Sequence, residues 1–212
     1  GRSKILKTVY RNSARVWVFS AFLLDEKASY VREDPDRVRF SSKGGYDPQL
    51  IECKSLRAQV EKAIQIVRAT LKDGYAASNI LILYRHRTIN GFHLVDYLRS
   101  RLNDEHIRND WIAEDSLAKH TFDWHSDTVK ISTLHSAKGM DSPIVIVLGA
   151  ETFQPEPGQT ERAYVALTRA REFLVILHTG DGGIVPQLRH CQAEYERYRD
   201  QIIGLEEKGL RQ

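Results

Sequence analysis

Two short segments hold the residue types and spacings with the most chemistry in them. The first runs Thr133-Leu134-His135-Ser136-Ala137-Lys138-Gly139-Met140-Asp141. It is largely polar, and it joins two stretches that read as strands, Val129–Thr133 and Pro143–Leu148. Loops of this kind sit at the strand ends of a parallel sheet, where ligands bind. Within it Lys138 is a candidate for a phosphate and Asp141 for a ribose hydroxyl, while Gly139 permits a tight turn or a close backbone approach. An ordinary polar connection would read the same way. The second segment runs Arg162-Ala163-Tyr164-Val165-Ala166-Leu167-Thr168-Arg169-Ala170-Arg171. Taken as a helix, it buries Val165 and Leu167 and projects Arg162 and Arg169, two turns apart, from one face. Such a pair is either a solvated face or a means of presenting a guanidinium to a phosphate.

Other chemistries find little support. The eight histidines are scattered and no G-x-S-x-G nucleophile elbow occurs. His120 and His125 flank Asp123 and Trp124 without the spacing of a zinc site and read as a solvated loop. Cys53 and Cys191 are far apart and match no metal spacing, which fits a reducing, cytoplasmic compartment. No G-x-x-x-x-G-K-[ST] loop is present, so these residues alone cannot grip a triphosphate in the usual way. With 42% hydrophobic and 28% charged residues, the chain can bury a core and does not read as disordered. A formal charge of +3 neither demands nor excludes nucleic acid, and any basic surface must be local. No apolar run approaches the roughly 20 residues of a membrane span, and the N-terminus lacks the apolar region of a signal peptide. The chain opens Gly1-Arg2-Ser3 and its single Met is Met140, so it is expected to be a piece of something longer.

The elements that must position these residues can be read from periodicity. Ser13 is placed to cap a helix from Ala14 to Leu24. Residues 34–48, with Pro35, Gly44, Gly45 and Pro48, read as loop around a short strand at Val38–Phe40. Leu56, Val60, Ile64, Val67 and Leu71 share one helix face, with Gly74 where a C-terminal cap belongs. Ile80-Leu81-Ile82-Leu83-Tyr84 is a continuous apolar run, as in a parallel strand buried on both faces. A helix is expected from about Gly91 to Arg101, and loop with short strand or helix over 103–127. Thr160 is placed to cap a helix from Glu161 to about Arg171, followed by a strand at Phe173–His178. The charged stretch from about Val185 to Gly209 reads as helix. Strands alternating with helices imply an α/β domain, a parallel sheet covered on both faces, with a helical tail.

Taken together, the two segments resemble motifs V and VI of UvrD/Rep-type superfamily 1 DNA helicases. The first is similar to T-x-H-x-x-K-G-L-E, the second to the Y-V-A-x-T-R-A core. Upstream, Leu6-Lys7-Thr8-Val9-Tyr10-Arg11-Asn12-Ser13 resembles motif IV, L-x-x-N-Y-R-S, and Leu83-Tyr84-Arg85 resembles the L-Y-R that follows it. The sequence departs from the pattern at four places. Val9 stands where Asn is usual and Asn12 where Ser is usual. Asp141 replaces Glu, one methylene shorter, and Met140 replaces Leu, a volume-conserving change. The stretch between Arg85 and Val129 is too short for the large accessory insertion that some members carry there.

The resemblance implies a RecA-like parallel sheet with helices on both faces over residues 1–184, the second motor domain of the helicase, and a helical tail over 185–212. It further implies that ATP and Mg²⁺ are held mainly by an N-terminal RecA-like domain of the same protein. This chain would close over the γ-phosphate with Arg11 and Arg169. Tyr10 would stack on adenine, and Gly139 and Asp141 would line the ribose and phosphate side. Arg85, Thr133, His135 and Lys138 would face single-stranded DNA. Two other readings are a stand-alone nucleic-acid-binding module without ATPase function and a regulatory domain of a degenerate helicase.

Overall fold

The computed structural model describes residues 8–9, 11–33, 39–40, 44–112, 126–137 and 139–209. Tyr10, Val38, Lys138 and the segment holding His120 and His125 lie outside them. The ten described strands are β1 (Thr8–Val9), β2 (Arg39–Phe40), β3 (Gln49–Glu52), β4 (Ile80–Tyr84), β5 (Thr88–Ile89), β6 (Phe92–His93), β7 (Asn109–Ile112), β8 (Val129–Thr133), β9 (Ser142–Leu148) and β10 (Ala170–His178). The six described α-helices are α1 (Ala14–Ala21), α2 (Asp25–Glu33), α3 (Leu56–Lys72), α4 (Leu94–Asp104), α5 (Gln159–Leu167) and α6 (Val185–Gly209).

The expected parallel sheet forms from six strands in the order β3-β10-β9-β4-β8-β7, and every pairing in it is parallel. Side chains alternate between its two faces with the period of two that a strand imposes. Leu81, Leu83, Val145, Val147, Leu174 and Ile176 pack on one side, in a core shared with α1, α5 and α6. Ile80, Ile82, Ile146, Leu148, Val175 and Leu177 pack on the other, against α3 and α4. The central strand β9 is buried over its whole length. This is why strands β4 and β9 appear in the sequence as unbroken apolar runs. Each Val or Ile buried this way contributes about 1.5–3 kcal/mol relative to exposure.

Helix α3 follows its sequence reading closely. Ser55 Oγ accepts a hydrogen bond from the Ala58 amide (3.1 Å) at its start, and Val60, Ala63, Ile64 and Val67 form the buried stripe. Helix α1 is capped as expected, with Ser13 Oγ accepting from the Val16 amide (3.3 Å). It stops at Ala21 rather than Leu24, and α2, not anticipated, follows after a short turn. Strand β3 was also not anticipated: at the sheet edge it is half exposed and lacks an apolar run. Helix α4 begins at Leu94, not near Gly91, because Asn90 and Gly91 both have positive φ (48° and 78°) and turn a hairpin between β5 and β6. An Asn-Gly pair is the standard signal for such a turn.

Helix α6 packs across α1 and shares its core through Leu188, Cys191, Tyr195 and Ile202. Phe19 meets Tyr195 edge to face at 6.2 Å, and Phe22 stacks on Tyr198 at 5.7 Å. Asp47 pins the assembly, accepting from Arg15 (2.9 Å), Tyr195 (2.7 Å) and Arg199 (2.7 Å). Burial alone would raise its carboxyl; the hydrogen bonds from Tyr195 and Arg199 and the charge of Arg15 outweigh it and hold the group below its ordinary 3.8. A carboxyl depressed on folding stabilises the fold above its unfolded pKa and loses that contribution as pH falls through the folded one. Asp47→Asn should therefore lower the urea midpoint at pH 7 and leave it nearly unchanged at pH 2–3 relative to the parent. Equal loss at both pH values would show that the ion pairs contribute nothing. Among the described residues no helix is long and apolar enough to cross a membrane.

Candidate functional site

The connection between β8 and β9 runs back along the length of the strands, from their carboxyl ends to their amino ends. It leaves from Thr133, whose strand ends beside Tyr84, and enters β9 at Ser142, which pairs with Ala170 at the start of β10. Its two halves therefore lie at opposite edges: Thr133 and His135 at the carboxyl ends of the strands, Asp141 at the amino ends. Ala137 and Met140 are buried in the core along the way. Gly139 has φ +92° with open space where a Cβ would point, so the backbone conformation, not crowding, favours glycine there.

At the amino edge the structure brings together Arg11, Asp141 and Arg169. Arg11 Nε lies 2.8 Å from Asp141 Oδ2, and Arg169 Nη1 lies 3.2 Å from Asp141 Oδ1. Each carboxylate oxygen thus carries one guanidinium, and two cations on one anion leave an excess of positive charge. The arginines differ in setting. The Arg11 side chain is 50% exposed, the Arg169 side chain only 9%. Arg169 Nε also donates to the Val165 carbonyl (2.9 Å). Burial pulls the Arg169 guanidinium below its ordinary value, Asp141 opposes the shift, and Arg11 adds to it.

Arg169 reaches this place by a route the helical reading missed. Helix α5 begins at Gln159 behind Gly158, whose amide donates to Glu161 Oε2 (2.6 Å), so Thr160 lies inside the helix and is not its cap. It ends at Leu167, where the Thr168 hydroxyl donates back to the carbonyls of Tyr164 (2.9 Å) and Val165 (3.1 Å). Local hydroxyl bonds of this kind compete with continued helix. Arg169 is therefore past the helix, and β10 starts at Ala170 rather than Phe173. The buried stripe of α5 is Ala163, Ala166 and Leu167; Val165 is 38% exposed, against expectation. Arg162 and Arg169 do not share a face.

Arg162 lies instead at the carboxyl edge, in an open cleft of about 610 Å³ that also receives Arg85, His86, Thr133, His135, Phe153 and Val165. Three of the four sequence-derived nucleic-acid candidates, Arg85, Thr133 and His135, meet there. Arg85 Nη1 donates to the Thr152 carbonyl (2.7 Å), which orients its fork. Thr133 is 5% exposed, and its Oγ1 accepts from the Ser136 amide (3.2 Å), so it shapes the turn as much as it lines the cleft. His86 is held below its ordinary value by burial and by the charge of Arg85. Sequence reasoning missed Arg162 as a cleft residue because it paired it with Arg169, and Val165 because it placed that side chain on the buried side of the helix.

Asn12 was also missed. It is buried, and its Nδ2 donates to the carbonyls of Thr168 (2.8 Å) and Ala170 (2.5 Å), the two residues flanking Arg169. Among the described residues no group of three or more His, Cys, Asp or Glu is placed to hold a metal ion.

The chain is similar to known proteins in sequence pattern and in fold. Residues 93–180 match the family model of the UvrD-like helicase C-terminal domain, a span that includes both chemistry-bearing segments but not Arg11. Among solved structures, the chain is similar to the C-terminal domain of a possible DNA helicase from Lactobacillus plantarum WCFS1. That match has a TM-score of 0.58 and 15% identity, covering 84% of this chain and 91% of that one. The helicase domain of Hef from Pyrococcus furiosus matches with a TM-score of 0.43 and 14% identity, over 67% of this chain and 28% of that one. No curated protein matches the chain. The chain thus has an α/β, RecA-like fold, and its residues 93–180 are similar to the UvrD-like helicase C-terminal domain.

Proposed function

We propose that this chain is the second motor domain of a cytoplasmic, ATP-dependent DNA helicase or translocase. It supplies Arg11 and Arg169 to ATP bound at the interface with an N-terminal RecA-like domain of the same protein, which holds the phosphate loop and Mg²⁺. The observation that carries this reading is the convergence of Arg11 and Arg169 on Asp141. Two guanidiniums held by one small anion are spaced to accept the oxygens of another, and a phosphate offers more oxygens and more charge. With nucleotide in place, Asp141 turns towards the ribose side beside Gly139, and Tyr10 lies against the adenine. The positive charge aimed at the γ-phosphate stabilises the charge that spreads over its oxygens during transfer. Closing and opening of the interface then moves one DNA grip relative to the other.

The DNA grip is the carboxyl-edge cleft, with Arg85, Thr133, His135 and Arg162 facing the DNA; Lys138, outside the described residues, remains a candidate from the family resemblance. Phosphate contacts by these cations make binding sequence-independent and salt-sensitive. In the complete protein, the affinity for an oligothymidylate should fall steeply between 50 and 200 mM salt, and Arg85→Ala and Arg162→Ala should each flatten the log–log slope by about 0.7. Binding that ignores both salt and the two substitutions places the DNA elsewhere. A non-hydrolysing nucleic-acid-binding or regulatory domain is the second reading. One observation favours it: Arg169 is nearly buried and already engaged by Asp141 and the Val165 carbonyl.

A further inference from the structure

We propose that Asn12 is a positioning residue for Arg169, clamping the two carbonyls that flank it so that Arg11 and Arg169 act as one unit; this rests on the reading of Arg169 as the arginine that faces phosphate. A carboxamide has two N–H donors, and the Asn12 Nδ2 spends them on Thr168 O at 2.8 Å and Ala170 O at 2.5 Å. These carbonyls belong to the peptide groups just after Thr168 and just after Ala170, so the clamp fixes the chain on both sides of the Arg169 Cα. Backbone bonds support it: the Ser142 amide donates to the Arg169 carbonyl (3.0 Å) and the Ser13 amide to the Arg171 carbonyl (2.7 Å). Asn12 is 4% exposed, so water cannot replace the amide when it is removed. It also directly follows Arg11 in the chain. One stretch of backbone therefore carries the first guanidinium and holds the segment that carries the second. Any movement that displaces Arg11 from a nucleotide displaces Arg169 with it. A serine at this position has one donor and could hold only one of the two carbonyls.

The test uses the complete protein and its single-stranded-DNA-stimulated ATP hydrolysis. Asn12→Asp keeps the shape but sets a carboxylate against two carbonyls. It should lower kcat by roughly 10²-fold, the effect of misplacing a catalytic group by about 1 Å. KM for ATP should stay within about twofold, because binding energy comes mainly from other contacts. Asn12→Ser, retaining one donor, should fall between the parent and Asn12→Asp. Combined with Arg169→Ala, Asn12→Asp should cost almost nothing more, since a clamp has no effect once the clamped group is gone. A merely structural asparagine would instead add its loss to that of Arg169→Ala, or shift only the melting temperature, and either result overturns the proposal. Full kcat in Asn12→Asp alongside an inactive Arg169→Ala overturns the clamp and leaves the role of Arg169 standing. An active Arg169→Ala removes the basis of both. Should Asn12→Asp fail to fold, Asn12→Ser decides on the same criteria; if both fail to fold, Asn12 is a fold determinant and the proposal falls.

Discussion

Arg169→Ala in the complete protein should reduce kcat for ATP hydrolysis by at least roughly 10³-fold, the lower end of what an arginine finger contributes to phosphoryl transfer. That loss corresponds to about 4 kcal/mol of barrier. By residue type and spacing alone the competing expectation is a solvated helix arginine, whose removal changes little. The structure removes that alternative: Arg169 is past the helix, nearly buried, and paired with Asp141. What competes now is a structural ion pair. The two differ in what Arg169→Ala does to each observable. Asp141 keeps Arg11 as a partner at 2.8 Å, so losing Arg169 does not strand a buried charge, and single-stranded DNA binding at the opposite edge should be unchanged. A structural arginine would show its effect in the melting temperature and spare kcat in the surviving folded protein. Arg169→Lys sharpens the comparison. Lysine keeps the positive charge and can pair with Asp141, but it has no planar fork to hold two oxygens at once. It should therefore restore stability and restore little turnover. Both variants hydrolysing ATP within a few-fold of the parent would end the assignment.

The elements that sequence reading located well are those whose environment is uniform. Strands β4 and β9 are buried on both faces, so nearly every residue must be apolar, and the run announces itself. Helix α3 has one buried face and a serine cap, which gives both its period and its start. Strand β3 fails for the opposite reason. At the edge of the sheet only parts of Leu50 and Ile51 are covered, and four residues are too few to show a period. The end of α5 was misread because spacing arguments assume that a helix continues. The Thr168 hydroxyl ends it by bonding backward, a signal present in the residue type but outweighed by the apolar pattern around it.

The candidate site divides the same way. Residue types and spacing single out Asp141 and Arg169, and the family resemblance adds Arg11, yet nothing in their spacing states that they meet. That depends on the pairing of β9 with β10, which sets Asp141 and Arg169 at the starts of adjacent strands, and on Ser13, whose amide ties the chain after Arg11 to Arg171. Asn12 was visible only as a departure from a family pattern. Its part as a clamp on two carbonyls needs the fold, because both partners are backbone atoms that no sequence distinguishes.

The isolated chain should show no ATP turnover above the buffer background, with or without single-stranded DNA. Hydrolysis needs the triphosphate held, its charge neutralised, and a water set in line with the γ-phosphate. The 212 residues contain no phosphate loop to wrap the β- and γ-phosphates with backbone N–H groups. In this reading Mg²⁺ comes with the N-terminal domain that holds the triphosphate. What remains is a pair of guanidiniums, one of them half exposed, already partly neutralised by Asp141. Such a pair can stabilise charge on a phosphate that something else presents; it cannot assemble the reacting geometry. The complete protein should by contrast turn over ATP at rates in the ordinary enzymatic range, on the order of 1–10³ s⁻¹, and do so faster with single-stranded DNA present. A phosphate-release assay on equal molar amounts of the two proteins separates the cases by orders of magnitude. Trace contamination is controlled by preparing the chain with Arg169→Ala in parallel, because a contaminant ignores that substitution. Saturable, DNA-stimulated hydrolysis by the isolated chain that disappears with Arg169→Ala would mean that the chain holds a complete ATP site of its own and that the half-site reading is wrong.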